Sequence, residues 1–301
     1  MSHRLKRTAR GPASWALLAT TLLTAAPLTA MAQEGPAPDQ RVVFITGSTS
    51  GLGREVALAL GAAGDHVIVH GRSAERGGAV VDSIRALGGS ARFYEADFAS
   101  LAEIAGLAEQ IRADYERLDV LVNNAGIWLE GPRRLSEDGH ELHFQVNYLA
   151  TYLLTESLAD LLRRSAPARV INVASIAQRP IDFDDVMLES GYSDGRAYAQ
   201  SKLAQIMITR VHAAELEGTG VTVNALHPAT MMDTNMVLSR GARPRASVDE
   251  GAEALLHLID APDLGTGGYF NGMQPAQPHA QALDDEALAR LVELSEAWTS
   301  G

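Results

Sequence analysis

The sequence predicts a doubly wound α/β domain, with a seven-stranded parallel sheet and helices on both faces. Three observations predict it. From Arg41 onward, short Val/Ile-rich runs alternate with Leu/Ala-rich amphipathic stretches. The runs are continuously apolar rather than alternating, which suits strands buried on both faces. A glycine-rich turn, TGSTSGLG (46–53), joins the first run to the first helical stretch. Strands alternating with helices imply βαβ units, and right-handed crossovers then distribute the helices over both faces.

The elements follow in order. The expected strands are RVVFIT (41–46), HVIVH (66–70), ARFYE (91–95), DVLV (119–122), RVINVA (169–174), VTVNAL (221–226) and GGYFN (267–271). Each after the first follows an amphipathic helical segment. LDDEALARLVELSEAW (283–298) predicts a terminal amphipathic helix. No internal repeat or low-complexity tract interrupts the pattern. The domain is expected over residues 41–301, after a short linker at 33–40 that contains EGPAPDQ.

The first 32 residues differ from the rest. Arg4, Lys6, Arg7 and Arg10 precede an apolar run from Trp15 to Ala30, and Ala30-Met31-Ala32 forms a small-x-small site. This is the three-part plan of a secretory signal, and the run is short for a membrane span. Export or membrane association is the expectation. The alternative is a cytoplasmic chain starting at Met31.

Composition narrows the function. The 301 residues are 46% hydrophobic and 21% charged, a globular balance. A net charge of −12 offers no basic surplus for nucleic acid. Without cysteine there is neither thiol catalysis nor a zinc–thiolate site. His140-Glu141-Leu142-His143 lacks the i, i+4 histidine spacing of a zinc helix and reads as surface, and no metal is expected. Asp182, Asp184 and Asp185 read as a solvated acidic loop. Met231, Met232 and Met236 suit either core packing or an adaptable apolar lid.

The glycine-rich turn lies between a strand and a helix in the first βα unit. Gly47, Gly51 and Gly53 there let the backbone approach a pyrophosphate at the helix N-terminus. After the second strand, an acid would meet a ribose 2′-hydroxyl, whereas arginine accommodates a 2′-phosphate. This chain has Gly71 followed by Arg72, which favours NADP(H) over NAD(H). Tyr198 and Lys202, four apart in AYAQSKLAQ, share one helix face. A lysine charge there would lower the tyrosine pKa toward neutrality.

Together these motifs resemble the short-chain dehydrogenase/reductase family, over Arg41 to about the C-terminus. TGSTSGLG matches the family's TGxxxGxG turn, and NNAG (123–126) matches its motif after the fourth strand. Asn147, Ser175 and YAQSK match the helix asparagine, the serine after the fifth strand and YxxxK. Asp97 in EADFAS matches the acid that contacts adenine.

The resemblance implies a Rossmann-type fold and a carbonyl–alcohol oxidoreductase acting on a small, apolar organic substrate. Tyr198 would be the general acid/base, Lys202 would lower its pKa and hold the nicotinamide ribose, and Ser175 would hold the substrate oxygen. Asn147 would position a water. Cofactor contacts would come from Gly47, Ser48, Ser50, Gly51, Leu52, Gly53, Arg72, Asp97, Asn124, Ala125, Gly126, Tyr198, Lys202, Pro228 and Thr230. Association with a second copy of the chain is compatible with such a fold.

Two departures stand out. Ser175 and Tyr198 are 23 residues apart, and the segment between resembles the insertion of the retinol-dehydrogenase and protochlorophyllide-reductase branch. In HPATMMDTNM, Ala229 replaces a family glycine, and the nicotinamide-side threonine is either Thr230 or Thr234. Other readings on the same fold are a non-catalytic dinucleotide sensor or scaffold, and a reductase of C=C or C=N bonds.

Overall fold

The computed structural model describes residues 35–300, together with Met1. The signal-like segment and the first linker residues lie outside the described residues. The rest of the linker is a turn, in which the Gln40 side chain accepts from the Ala37 N–H at 3.1 Å and donates to Gly64 O at 2.6 Å. Among the described residues, no helix is long and apolar enough to cross a membrane.

Eight strands form one sheet in the order β3-β2-β1-β4-β5-β6-β7-β8. The first seven are β1 (Val42–Ile45), β2 (His66–Gly71), β3 (Ser90–Glu95), β4 (Val120–Asn123), β5 (Ala168–Val173), β6 (Val221–His227) and β7 (Tyr269–Asn271). All seven are parallel, as expected. The eighth, β8 (Gln274–Pro275), corrects the predicted count: it runs antiparallel to β7. Asn271-Gly272 carries the chain back, with Gly272 at φ +58°.

Both faces of the sheet are covered, which explains the unbroken apolar runs. On one face Val42, Phe44, Ile68 and Leu121 pack against α3 (Leu101–Asp114) and α5 (Ala150–Arg164). On the other, Val43, Ile45, Val67 and Val122 meet α1 (Gly51–Ala62), α2 (Ala74–Ala86) and α8 (Val248–Asp260). A third cluster joins α4 (Leu142–Phe144), α6 (Asp194–Glu215) and α9 (Asp285–Thr299) through Phe144, Leu203, Met207 and Leu291. The terminal helix forms where its amphipathic pattern predicts, and it packs on the helix that carries Tyr198.

Strand order reverses between β1 and β4, so a crevice opens there at the carboxyl ends of the strands. The turn after β1 and the NNAG segment after β4 flank it.

Candidate active site

The crevice is a cleft of about 630 Å³, running from the glycine-rich turn and Arg72 to Ser175, Tyr198 and Met236. Gly47 and Gly51 adopt φ +64° and +53°, a region costly for other residues. A Cβ on Gly53 would lie 2.5 Å from Asn124 Nδ2 and 2.7 Å from Gly47 O. Asn124 locks the two segments together by donating from Nδ2 to Thr46 O at 2.8 Å. The Thr46 hydroxyl in turn accepts from the Asn124 and Ala125 N–H groups at 3.0 and 2.9 Å.

The cap of α1 sets it apart. The serines before α2, α3, α6 and α8 each accept a hydrogen bond from the third backbone N–H beyond them. Ser50, before α1, makes no such bond. The first N–H groups of α1 thus remain available to an anion.

Ser48 departs from expectation. It is fully buried, its hydroxyl donates to Ile45 O at 2.8 Å and accepts from His70 N–H at 3.0 Å, and it does not line the cleft. Its function here is to fasten the turn to the strands. His70, which motif reading missed, does the same. Its Nδ1 accepts from Gly47 N–H at 3.1 Å, and its Nε2 donates to Ala96 O at 3.2 Å. Burial lowers its pKa to about 4, so the ring is neutral and keeps this tautomer. A histidine ending an otherwise apolar strand was the available signal.

The end of the cleft beside α2 carries two arginines. A Cβ on Gly71 would lie 2.6 Å from Thr49 Cγ2, so the backbone has no room there for an acidic side chain. Exposed Arg72 contacts Asp97 at 3.3 Å, and Arg76, at the start of α2, is a second lining cation that motif reading missed. Asp97 also accepts from the Ala99 N–H at 3.0 Å.

At the opposite end, Ser175, Tyr198 and Lys202 converge on the cleft. Burial raises the Tyr198 pKa, while the nearby Ser175 side chain and the charge of Arg240 oppose the rise. This differs from the expected lysine effect. Lys202 Nζ is turned away to donate to Val173 O and Gln205 Oε1, each at 2.8 Å, and sits 5.8 Å from the Tyr198 ring centre. Burial lowers the Lys202 pKa to about 7, so its charge is only partly present at neutrality.

That shift predicts a pH dependence. Between about 7 and the unfolded value near ~10.4, the unfolded chain binds more protons at Lys202 than the folded one. Stability from this group therefore rises with pH across that window. Relative to Lys202→Met, the wild type is expected to gain stability from pH 7 to 9.5. Urea unfolding of both proteins checks it, and a flat difference would show that Lys202 stays charged in the fold.

Asn147 sits in a π-helical turn, Gln145–Leu149, between α4 and α5. Its side chain grips Ile127, accepting from the N–H at 2.7 Å and donating to the carbonyl at 3.1 Å, and it donates to Ser201 at 2.9 Å. Its backbone carbonyl accepts from Thr151, whose hydroxyl accepts from Gln205 Nε2 at 3.0 Å. A side-chain relay thus leads from Lys202 to the Asn147 carbonyl, through residues absent from the motif list.

Past the sixth strand, Pro228, Ala229, Thr230 and Thr234 all line the cleft, leading into the short α7 (Asn235–Leu238). The Thr230 hydroxyl pairs with His227 at 3.0 Å, and Thr234 packs over Gly51. Met231 and Met236 line the cleft, while Met232 packs against Gly251 of α8 as well.

Motif reading also missed Trp128. Its ring stacks on Tyr198 at 4.3 Å with planes 10° apart, and the Arg240 guanidinium lies 3.5 Å from the indole centre. Both are within contact distance, so they occupy opposite faces. Arg240 also pairs with Glu130 at 3.1 Å. The following residue, Leu129, donates its N–H to His143 Nε2 at 2.9 Å, and His143 Nδ1 donates to Glu141 at 2.8 Å. Glu141 and His143 are each 1% exposed, which corrects the surface reading of this segment. They support the loop that carries Trp128.

The chain matches the short chain dehydrogenase family model over residues 41–244. It is 35% identical to human retinol dehydrogenase 13, over 83% of this chain and 82% of the relative. It is 38% identical to mouse polyprenol dehydrogenase, over 88% and 84% of the two chains. The Pseudomonas aeruginosa RhlG/NADP active-site complex superposes with a TM-score of 0.63 at 28% identity, covering 77% of this chain and 94% of that one. The glycine cradle that a Cβ would fill and the uncapped start of α1 fit a nicotinamide dinucleotide, the cofactor class of that family. With the expected motifs gathered at one crevice and the family model spanning most of the domain, the chain belongs to the short-chain dehydrogenase/reductase family, in its retinol dehydrogenase branch.

Proposed function

We propose that the chain is an NADP(H)-dependent oxidoreductase that interconverts an apolar alcohol and its carbonyl, with Tyr198 as the general acid/base. The observation that carries this reading is the convergence of Ser175, Tyr198 and Lys202 at one end of a cleft whose other end is the glycine cradle with Arg72 and Arg76. The cleft is lined in part by apolar Trp128, Leu129, Val146, Met236 and Val237, and Trp128 stacks on Tyr198. Relatives named for retinol and polyprenol, both apolar alcohols, support the same substrate class.

Bound NADPH would supply hydride to the carbonyl carbon. The protein's own task is the oxygen. Ser175 donates to the carbonyl oxygen and Tyr198 gives it a proton, so the developing alkoxide leaves as alcohol. Burial favours the protonated phenol, which is the form required for reduction. Lys202 and Asn147 stand behind this pair, and the Gln205–Thr151 relay links them.

The test is NADPH oxidation by purified protein with a panel of apolar aldehydes and ketones, beside polar ones of similar reactivity. Faster turnover of the apolar members is expected. No turnover of any carbonyl, together with tight NADPH binding, would instead favour a dinucleotide sensor.

Arg240 gives a second check. Its contacts with Trp128 and Glu130 tether the segment after β6 across the mouth. A cation–π contact contributes about 1 kcal/mol, so Arg240→Ala is expected to raise KM for an apolar substrate roughly fivefold. Steady-state kinetics decides it, and an unchanged KM would show that the tether does not shape the substrate site.

A further inference from the structure

Outside the cleft, three ligand-type side chains meet on the outer side of α5 and α6. Glu156 comes from α5, and His212 and Glu215 come from the last turn of α6. One donor atom from each lies within 4.8 Å of the others. His212 and Glu215 are three apart on one helix, a spacing that turns both side chains to the same face and recurs in helix-borne metal sites.

The histidine points to a ligand. It is 1% exposed, and neither ring nitrogen makes an aligned hydrogen bond among the described residues. Its Nε2 lies 2.9 Å from Glu156 Oε1, within ion-pair distance but off the axis that a ring N–H would need. An ion on that axis would touch both atoms, because metal–nitrogen and metal–oxygen bonds of ~2.0–2.2 Å hold their ligands about 3 Å apart. Tyr152 stacks on the ring at 5.9 Å and fixes its plane.

Charge argues the same way. Among the described residues neither Glu156 nor Glu215 forms an ion pair with lysine or arginine; Arg163, which pairs with Asp160 at 2.9 Å, acts on both at longer range. Glu296 of α9 adds to the negative field around Glu215. Two carboxylates thus face one buried imidazole, with Arg163 acting on both from beyond ion-pair distance.

We propose that Glu156, His212 and Glu215 bind a divalent transition-metal ion of the zinc class, with water completing the coordination. One imidazole and two carboxylates suit zinc or cobalt better than calcium, which takes oxygen ligands alone. The ion would tie α5 to α6, the two helices that continue into Asn147 and carry Tyr198 and Lys202. It lies outside the cleft, so its effect is on stability rather than on the reacting atoms.

The test uses the untagged full chain, stripped with chelator and titrated with Zn²⁺ by calorimetry and with Co²⁺ by visible absorption. One equivalent is expected to bind, with cobalt bands of low coordination number and a zinc-dependent rise in Tm. Glu156→Gln and Glu215→Gln alter partly exposed side chains and keep the helices intact. Each is expected to weaken binding roughly 10- to 100-fold and to abolish the rise in Tm, and His212→Gln should do the same. No binding by the wild type would overturn the site. Equal binding by wild type and all three variants would also overturn it, by showing that the metal sits elsewhere.

Discussion

Tyr198→Phe is expected to lower kcat by roughly 10²- to 10⁴-fold, the usual contribution of a positioned general acid, while leaving NADPH affinity within about twofold. The substitution removes one oxygen atom and keeps the ring. The stack on Trp128 at 4.3 Å is therefore preserved, and with it the wall of the cleft. The Ser175 hydroxyl keeps its bond from the Ala177 N–H at 3.1 Å, so the β5 end is not released. Lys202 remains held by Val173 O and Gln205. The loss should thus be confined to proton transfer. Single-turnover reduction of an active carbonyl, with fluorescence titration of NADPH alongside, separates the two. Near-wild-type turnover would remove Tyr198 from the role assigned to it.

Arg72→Ala is expected to weaken NADPH binding by about tenfold, roughly 1.4 kcal/mol, and NADH by less than twofold. Arg72 is more than half exposed, which limits the value of its charge through solvent screening. One feature enlarges the loss. Asp97 accepts from Arg72 at 3.3 Å, so the variant leaves that carboxylate uncompensated beside the 2′-phosphate. One feature reduces it, since Arg76 lines the same end and retains part of the attraction. Arg72→Ala with Arg76→Ala should therefore approach a 100-fold loss for NADPH. Equal losses for both cofactors would show that neither arginine reads the phosphate.

Much of the fold was legible because its signals are local. Continuous apolar runs marked β1, β2, β4, β5 and β6 within a residue or two, since a strand covered on both faces has no polar side to show, while β3, SARFYE, is a partly buried edge strand marked by its aromatic residues instead. β7 was overextended by Gly267 and Gly268, and the Asn-Gly signal for β8 lay unread beside it. The glycine turn was legible because a positive φ at Gly47 and Gly51 leaves a mark in residue type. Tyr198 and Lys202 were legible through helical spacing, and the structure places both in the cleft.

The sequence by itself therefore determined the order of elements along the chain and the residues of the family motif, whereas the strand order, and with it the crevice, came with the fold. Tertiary structure alone decided what those residues touch. Trp128 reaches Tyr198 from a loop after β4, and Arg240 covers it from the segment after β6. Burial and two hydrogen bonds, rather than spacing, set the charge and aim of Lys202. The Ser48 hydroxyl bridges β1 and β2 instead of facing the cleft. Glu141 and His143, and likewise Glu156, His212 and Glu215, became meaningful only when helices and loops closed around them. The reason is physical. Periodicity and φ preference are properties of neighbouring residues, whereas desolvation, bond alignment and stacking depend on surfaces that the chain brings together only when it folds.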